Sequence, residues 1–203
     1  MSKTSNRSSL LTSYSARAKR PATANSTQHS ALLRHSALIL LIGLPGSGKS
    51  TLAKQLLTEC PQMQLICTDA IRGQLFGSQA IQGPWLLIWR EIQRQFQQAI
   101  ATDKTAIYDA TNAQRRHRRE LIALAQDVGF THITGIWVDT PVWLCLARNK
   151  RRSRQVPEEV ILRMHRQLRD APPSQEEGID CLIHFKEWRE YGNCAGIVSE
   201  NHT

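Results

Sequence analysis

The chain has 203 residues, of which 41% are apolar and 21% charged, and it carries a formal net charge of +9. That supplies one buried core for a domain of common size, and the basic balance favours a polyanionic partner. Five cysteines, at positions 60, 67, 145, 181 and 194, contain no C-x-x-C pair, and the longest unbroken apolar run is Ala37 to Ile42. This argues against a disulfide framework, a structural zinc site and a membrane span of roughly 20 residues, and it suits a reducing, cytoplasmic compartment.

Residues 1–36 hold six Lys/Arg, many Ser and Thr, and no acid, so the remainder carries 9 − 6 = +3. Such a stretch buries too little to order itself and reads as a disordered basic tail, or alternatively as a transit peptide that would place the protein in an organelle. Past it, Ala37–Ile42 reads as a strand covered on both faces.

Directly behind that strand, Gly43, Leu44, Pro45, Gly46, Ser47, Gly48, Lys49, Ser50 and Thr51 fit G-x-x-x-x-G-K-[ST]. Glycines let backbone N–H groups turn inward around an anion, and the helix expected from Ser50 to Thr58 directs its positive end at the same place. Lys49 is expected on the β and γ phosphates of ATP and the Ser50 hydroxyl on Mg²⁺. A strand is expected over 62–67, and behind it "TDAIR" places Asp69 and Arg72 one helical turn apart. Beside a phosphate cradle, that carboxylate suits a general base for an attacking hydroxyl and the guanidinium suits an acceptor phosphate; elsewhere the pair would be an N-cap and a surface arginine.

The spacing predicts a helix over 84–100 that buries Trp85, Ile88, Trp89, Ile92, Phe96 and Ile100. A strand over 105–108 ends at Asp109, the place of a carboxylate that holds the Mg²⁺ shell, with Thr111 and Asn112 as either acceptor contacts or the turn before the next helix. That helix, about 114–128, opens with Arg115, Arg116, His117, Arg118 and Arg119, which reads equally as a solvated basic face or a polyanion contact. A strand over 132–138 delivers Asp139 and Thr140. Helices over 141–150 and 157–169 flank the run Arg148 to Arg154, which suits a lid whose guanidinium groups stabilise charge on a transferring phosphoryl group. A last strand is expected over 179–185, and residues 186–203 show no clear period.

Alternating strands and helices argue for an α/β, three-layer arrangement with a parallel sheet. With "GLPGSGKST", "TDAIR", "YDATN", "RNKRRSRQVPEEVI" and "PPSQEEGIDCLI" in that order, residues 37–185 resemble the P-loop kinase domain of the polynucleotide 5′-hydroxyl kinase family, within a group of zeta-toxin-like AAA family ATPases and small-metabolite kinases. The resemblance implies a five-stranded parallel sheet of adenylate-kinase type with a short arginine-rich lid, and the cofactors ATP and Mg²⁺. It implies Asp69 as general base, Arg72 on the acceptor phosphate, and Arg148 and Arg152 from the lid. The lid between Arg148 and Pro157 is one residue shorter than in phage-type members. Three functions follow in order: transfer of the γ-phosphate to a nucleic acid 5′-hydroxyl, transfer to a sugar, nucleoside or antibiotic hydroxyl, and slow ATP hydrolysis by a nucleic-acid-binding protein.

Overall fold

A computed structural model describes residues 37–186. The basic tail and residues 187–203 lie outside the described residues, as do the expectations attached to them. Five strands, β1 (Ala37–Ile42), β2 (Gln64–Cys67), β3 (Ala106–Asp109), β4 (His132–Val138) and β5 (Cys181–Phe185), form one sheet in the order β2-β3-β1-β4-β5. Every neighbouring pair is parallel.

Six α-helices connect them: α1 (Lys49–Glu59), α2 (Thr68–Phe76), α3 (Trp85–Ala101), α4 (Arg115–Val128), α5 (Val142–Asn149) and α6 (Glu158–Asp170), with a 3₁₀ turn at Gln175–Glu177. The handedness of the crossovers decides which face each helix takes. From β1 to β2 the chain moves one way across the sheet, whereas the later crossovers, β2 to β3, β3 to β4 and β4 to β5, all move the other way. Right-handed connections therefore set α1 alone on one face. Leu41 and Ile107 pack there against Ala53, with Leu52, Leu56 and Leu57 around them. On the other face Leu38, Leu40, Ile42 and Tyr108 meet Ile88, Ile92 and Phe96 of α3, Leu121 and Ile122 of α4, and Ile161 and Leu168 of α6. The expected three layers are thus unequal among the described residues.

The sequence's periods give most elements to within a few residues and mislead at Trp85 and Arg118. The segment after β2 is a full helix, α2, with Ile71 buried and Gly77 at φ 75° ending it in the left-handed conformation that glycine adopts without strain. Trp85 is 48% exposed rather than buried, because the apolar stripe of α3 begins before the surface it packs on. Arg118 is fully buried rather than part of a solvated or polyanion-binding face. Among the described residues no helix is long and apolar enough to cross a membrane.

Candidate active site

The chain leaves central β1 towards β2 on one side and returns past it to β4 on the other, so the strand order reverses beside β1 and a crevice opens at the strands' carboxyl ends. Into that crevice β1 delivers the loop Gly43 to Gly48. Gly46 stands at φ 83°, and a Cβ there would come within 2.7 Å of the Cys145 carbonyl. Only glycine suits this position, where the loop passes under α5. The Thr140 hydroxyl donates to the Ser47 carbonyl at 2.8 Å, and the Gly43 N–H donates to the Thr111 carbonyl at 3.0 Å. The ends of β4 and β3 therefore both brace the loop.

Lys49, the first residue of α1, is 6% exposed, and its ammonium donates to the Leu44 carbonyl at 2.7 Å and to the Ser47 hydroxyl at 3.4 Å. Burial pushes its pKa down to about 8, against the opposing pull of the Asp109 carboxylate. The next residue, Ser50, donates its hydroxyl to Asp109 Oδ2 at 2.7 Å, which joins the start of α1 to the end of β3. Asp109 is 6% exposed and Ser50 is exposed, so this pair is an oxygen donor set with one member buried and the other open to water. A hydroxyl beside a carboxylate, with room for water, fits Mg²⁺, which takes few protein ligands and keeps several waters. Among the described residues no group of three His, Cys, Asp or Glu side chains offers another metal site.

Asp69 lies in the first turn of α2, at the carboxyl end of β2, and its carboxylate is 43% exposed to the cleft. Two guanidinium groups reach it: Arg72 Nη1 at 2.9 Å from the same helix and Arg154 Nη1 at 3.3 Å from the segment between α5 and α6. Arg72 Nε is buried with no hydrogen-bond partner among the described residues. Leaving such a donor unmatched costs about 1–3 kcal/mol, which an anionic or polar ligand would recover.

The arginine segment is anchored by one side chain. Asn149, nearly buried at the end of α5, donates from Nδ2 to the Val156 carbonyl at 2.7 Å and accepts from the Val156 N–H at 3.0 Å. Residues 150–155 are thus pinned at both ends into a short loop above the cradle. Arg148 Nη1 donates to the Gly46 carbonyl at 3.4 Å. Arg152 lies close enough to Lys49 to help lower its pKa, while Arg154 meets Asp69. Sequence reasoning singled out Arg152 and missed Arg154, since a run of identical residues carries no signal of which one faces inward.

Two expectations remain on the far wall. Thr111 and Asn112 line the cleft, but the Asn112 amide is spent on the backbone, donating to the Leu41 carbonyl at 2.6 Å. Asn112 stands at φ 49°, so the turn is its structural role. Arg118 forks onto Glu177 at 2.6 and 2.7 Å and also donates to the Asn112, Ala113 and Ala171 carbonyls. This buried latch fixes the loop after β3. Glu177, in "PPSQEEGIDCLI", was the signal that could have predicted a partner for one of the α4 arginines.

A family model described as an AAA domain matches residues 38–171. L-seryl-tRNA(Sec) kinase of Methanococcus maripaludis is 29% identical over 148 residues, covering 66% of this chain and 53% of that protein. The chain thus spans about half the length of this curated relative. Among solved structures, a chain of the Pnkp1/Rnl/Hen1 RNA repair complex superposes with a TM-score of 0.62 at 22% identity, over 72% of this chain and 47% of that one. A fungal RNA kinase does so at 0.52 and 18%, over 73% of this chain and 38% of that one. At these identities the likeness is one of fold.

Proposed function

The chain belongs to the AAA-domain family that this model describes, and from that premise we propose that it is an ATP-dependent kinase whose first acceptor is the 5′-terminal hydroxyl of a nucleic acid. Its fold is an ATP-binding one of kinase type. The observation that carries the reading is Asp69: a cleft-facing carboxylate across from the phosphate cradle, at the end of the strand next to β3. A switch or motor ATPase that activates only water has no need of a second substrate's base and guanidinium at that place.

In this reading the loop N–H groups, Lys49 and Arg148 hold the phosphates of ATP, and Ser50 with Asp109 hold Mg²⁺. When bound, Mg²⁺ neutralises charge on the phosphates. Asp69 Oδ accepts the proton of the acceptor hydroxyl as its oxygen attacks the γ-phosphorus, the new P–O bond forms, and the bond to the β-phosphate oxygen breaks with ADP leaving. Arg72, one helical turn from Asp69, binds a phosphate of the acceptor through its guanidinium. Arg152 and Arg154 belong to a short arginine-rich lid over a sheet of adenylate-kinase type, and Arg154 must leave Asp69 for the acceptor to reach it. We take residues 37–185 as the kinase domain.

The relative named for L-seryl-tRNA(Sec) supports a second acceptor, a hydroxyl on an aminoacyl group carried by RNA. The test supplies γ-labelled ATP and Mg²⁺ with 5′-hydroxyl RNA and DNA strands, seryl-tRNA, and a pool of sugars, nucleosides and hydroxylated antibiotics. Label at the 5′ ends is expected. Label confined to seryl-tRNA would move the reading to the second acceptor, label confined to a small molecule would overturn the nucleic-acid assignment, and acceptor-independent phosphate release alone would overturn the kinase assignment.

A further inference from the structure

The basic helix α4 does not present the cleft with the charge its sequence promises. Arg118 is locked on Glu177, Arg115 lies 3.5 Å from Glu176 and 3.7 Å from Glu177, and Arg116 pairs with Glu120 at 2.8 Å. What α4 contributes to the cleft lining is His117, Glu120 and Leu121, and none of its arginines. Facing it is Trp85, the first residue of α3, whose indole plane lies within 20° of the imidazole plane with ring centroids 6.4 Å apart. Trp89, one turn further along α3, is inclined at 42° to Trp85 at 6.0 Å and is half-buried. All three rings line the cleft that holds Asp69, Arg72 and Asp109.

An indole left half in water at the rim of an active-site cleft forgoes burial that a tryptophan on a core stripe would obtain, so a ligand face is the occupant to look for. Its chemistry must be planar and apolar on its face and must be attached to something that places a hydroxyl at Asp69 and a phosphate at Arg72. A nucleobase on the acceptor's terminal nucleotide meets all three conditions. Stacking also tolerates any base, and the same lining holds the amides Gln79, Gln82 and Gln114 together with Glu120, whose charge Arg116 pairs.

We propose that Trp85, seconded by His117, is the stacking platform for the base of the acceptor's 5′-terminal nucleotide, and that the enzyme therefore takes ends whose terminal base is unpaired. The inference rests on the nucleic-acid reading above and adds to it the feature of the end that is recognised. A base held in a duplex stack must first be splayed out to reach the indole, so blunt duplex ends are poor acceptors.

The test compares, in the full-length protein, a single strand with an ordinary 5′-terminal nucleotide against the same strand carrying a 5′-hydroxyl on an abasic tetrahydrofuran residue. Loss of the base should raise KM about tenfold or more with a smaller change in kcat, the range that loss of one base–aromatic stack produces. Trp85→Ala should remove the difference between the two strands, Trp85→Phe should keep most of it, and His117→Ala should reduce it. Equal KM for the two strands in the unmodified protein, or an undiminished base preference in Trp85→Ala, would overturn the inference while leaving 5′-end transfer intact. Should Trp85→Ala fail to fold, as judged by loss of ATP binding, the unmodified protein and Trp85→Phe still decide it. Absence of transfer to any 5′ end would overturn the nucleic-acid reading and this inference together.

Discussion

Lys49 is held in the cradle at a cost. Its pKa, lowered by burial to about 8, lies well below the 10.5 of a solvated lysine, a difference on the order of 3 kcal/mol between its two protonation states. Polyphosphate beside the ammonium favours the charged form, so binding raises that pKa. Between pH 8 and the raised value the complex holds a proton that the free protein lacks. Binding of magnesium-ATP at pH 8.5 should therefore take up a proton, uptake should vanish below pH 7, and affinity should fall as pH rises through 8. Calorimetry in two buffers of different ionisation heat measures this directly, and no uptake at pH 8.5 would contradict the assigned role of Lys49. At Gly46, replacement by Ala would press a Cβ to 2.7 Å from the Cys145 carbonyl in a left-handed backbone, and nucleotide binding should be lost in a filter or calorimetric assay. The cradle residues were legible because each fixed position in the motif has its own chemical reason. Arg154 and the exposed Trp85 were not, since which arginine of a run turns inward, and where a stripe outruns its partner surface, depend on neighbours far away in sequence.

At the scale of elements, β1 could be read from its wholly apolar run and α3 from its period, while α2 was legible only as a turn. Its nine residues hold two buried side chains, Thr68 and Ile71, too few for a stripe to show. The α4 arginines illustrate the opposite error. Four basic residues in the first turns invite an electrostatic reading, yet Arg118 serves the fold by tying α4 to the segment before β5. Arg118→Ala leaves Glu177 buried with Arg115, 3.7 Å away, in place of its forked partner, and urea unfolding should show a loss of about 3 kcal/mol. A loss under 1 kcal/mol would mean that water reaches Glu177. The pinned loop makes a separate expectation: Asn149→Ala removes both of its bonds to Val156 and should lower the transfer rate more than ATP affinity, because Arg152 and Arg154 lose their fixed base. Equal loss of binding and rate would place that loop in ground-state binding instead.

Across the whole molecule, the order of strands brings together the groups that the proposed function makes catalytic. Three consecutive carboxyl ends, those of β2, β3 and β1, lie side by side and carry Asp69, Asp109 and the phosphate loop respectively. Groups separated by tens of residues in sequence line one cleft, and the proposed function gives it a phosphate side at Lys49 and Ser50 and an acceptor side at Asp69, Arg72 and Trp85. Alternation of strands and helices announced a parallel sheet, but not that α1, alone among the described helices, would take its face, which follows from the direction of each crossover. The central claim is that Asp69 accepts the acceptor's proton. The direct measurement is the single-turnover rate of γ-phosphate transfer to a 5′-hydroxyl strand by the unmodified protein and by Asp69→Asn, at saturating ATP. The account expects a fall of about 10²- to 10⁴-fold in the variant with ATP affinity unchanged. Transfer at an undiminished rate by Asp69→Asn would contradict it.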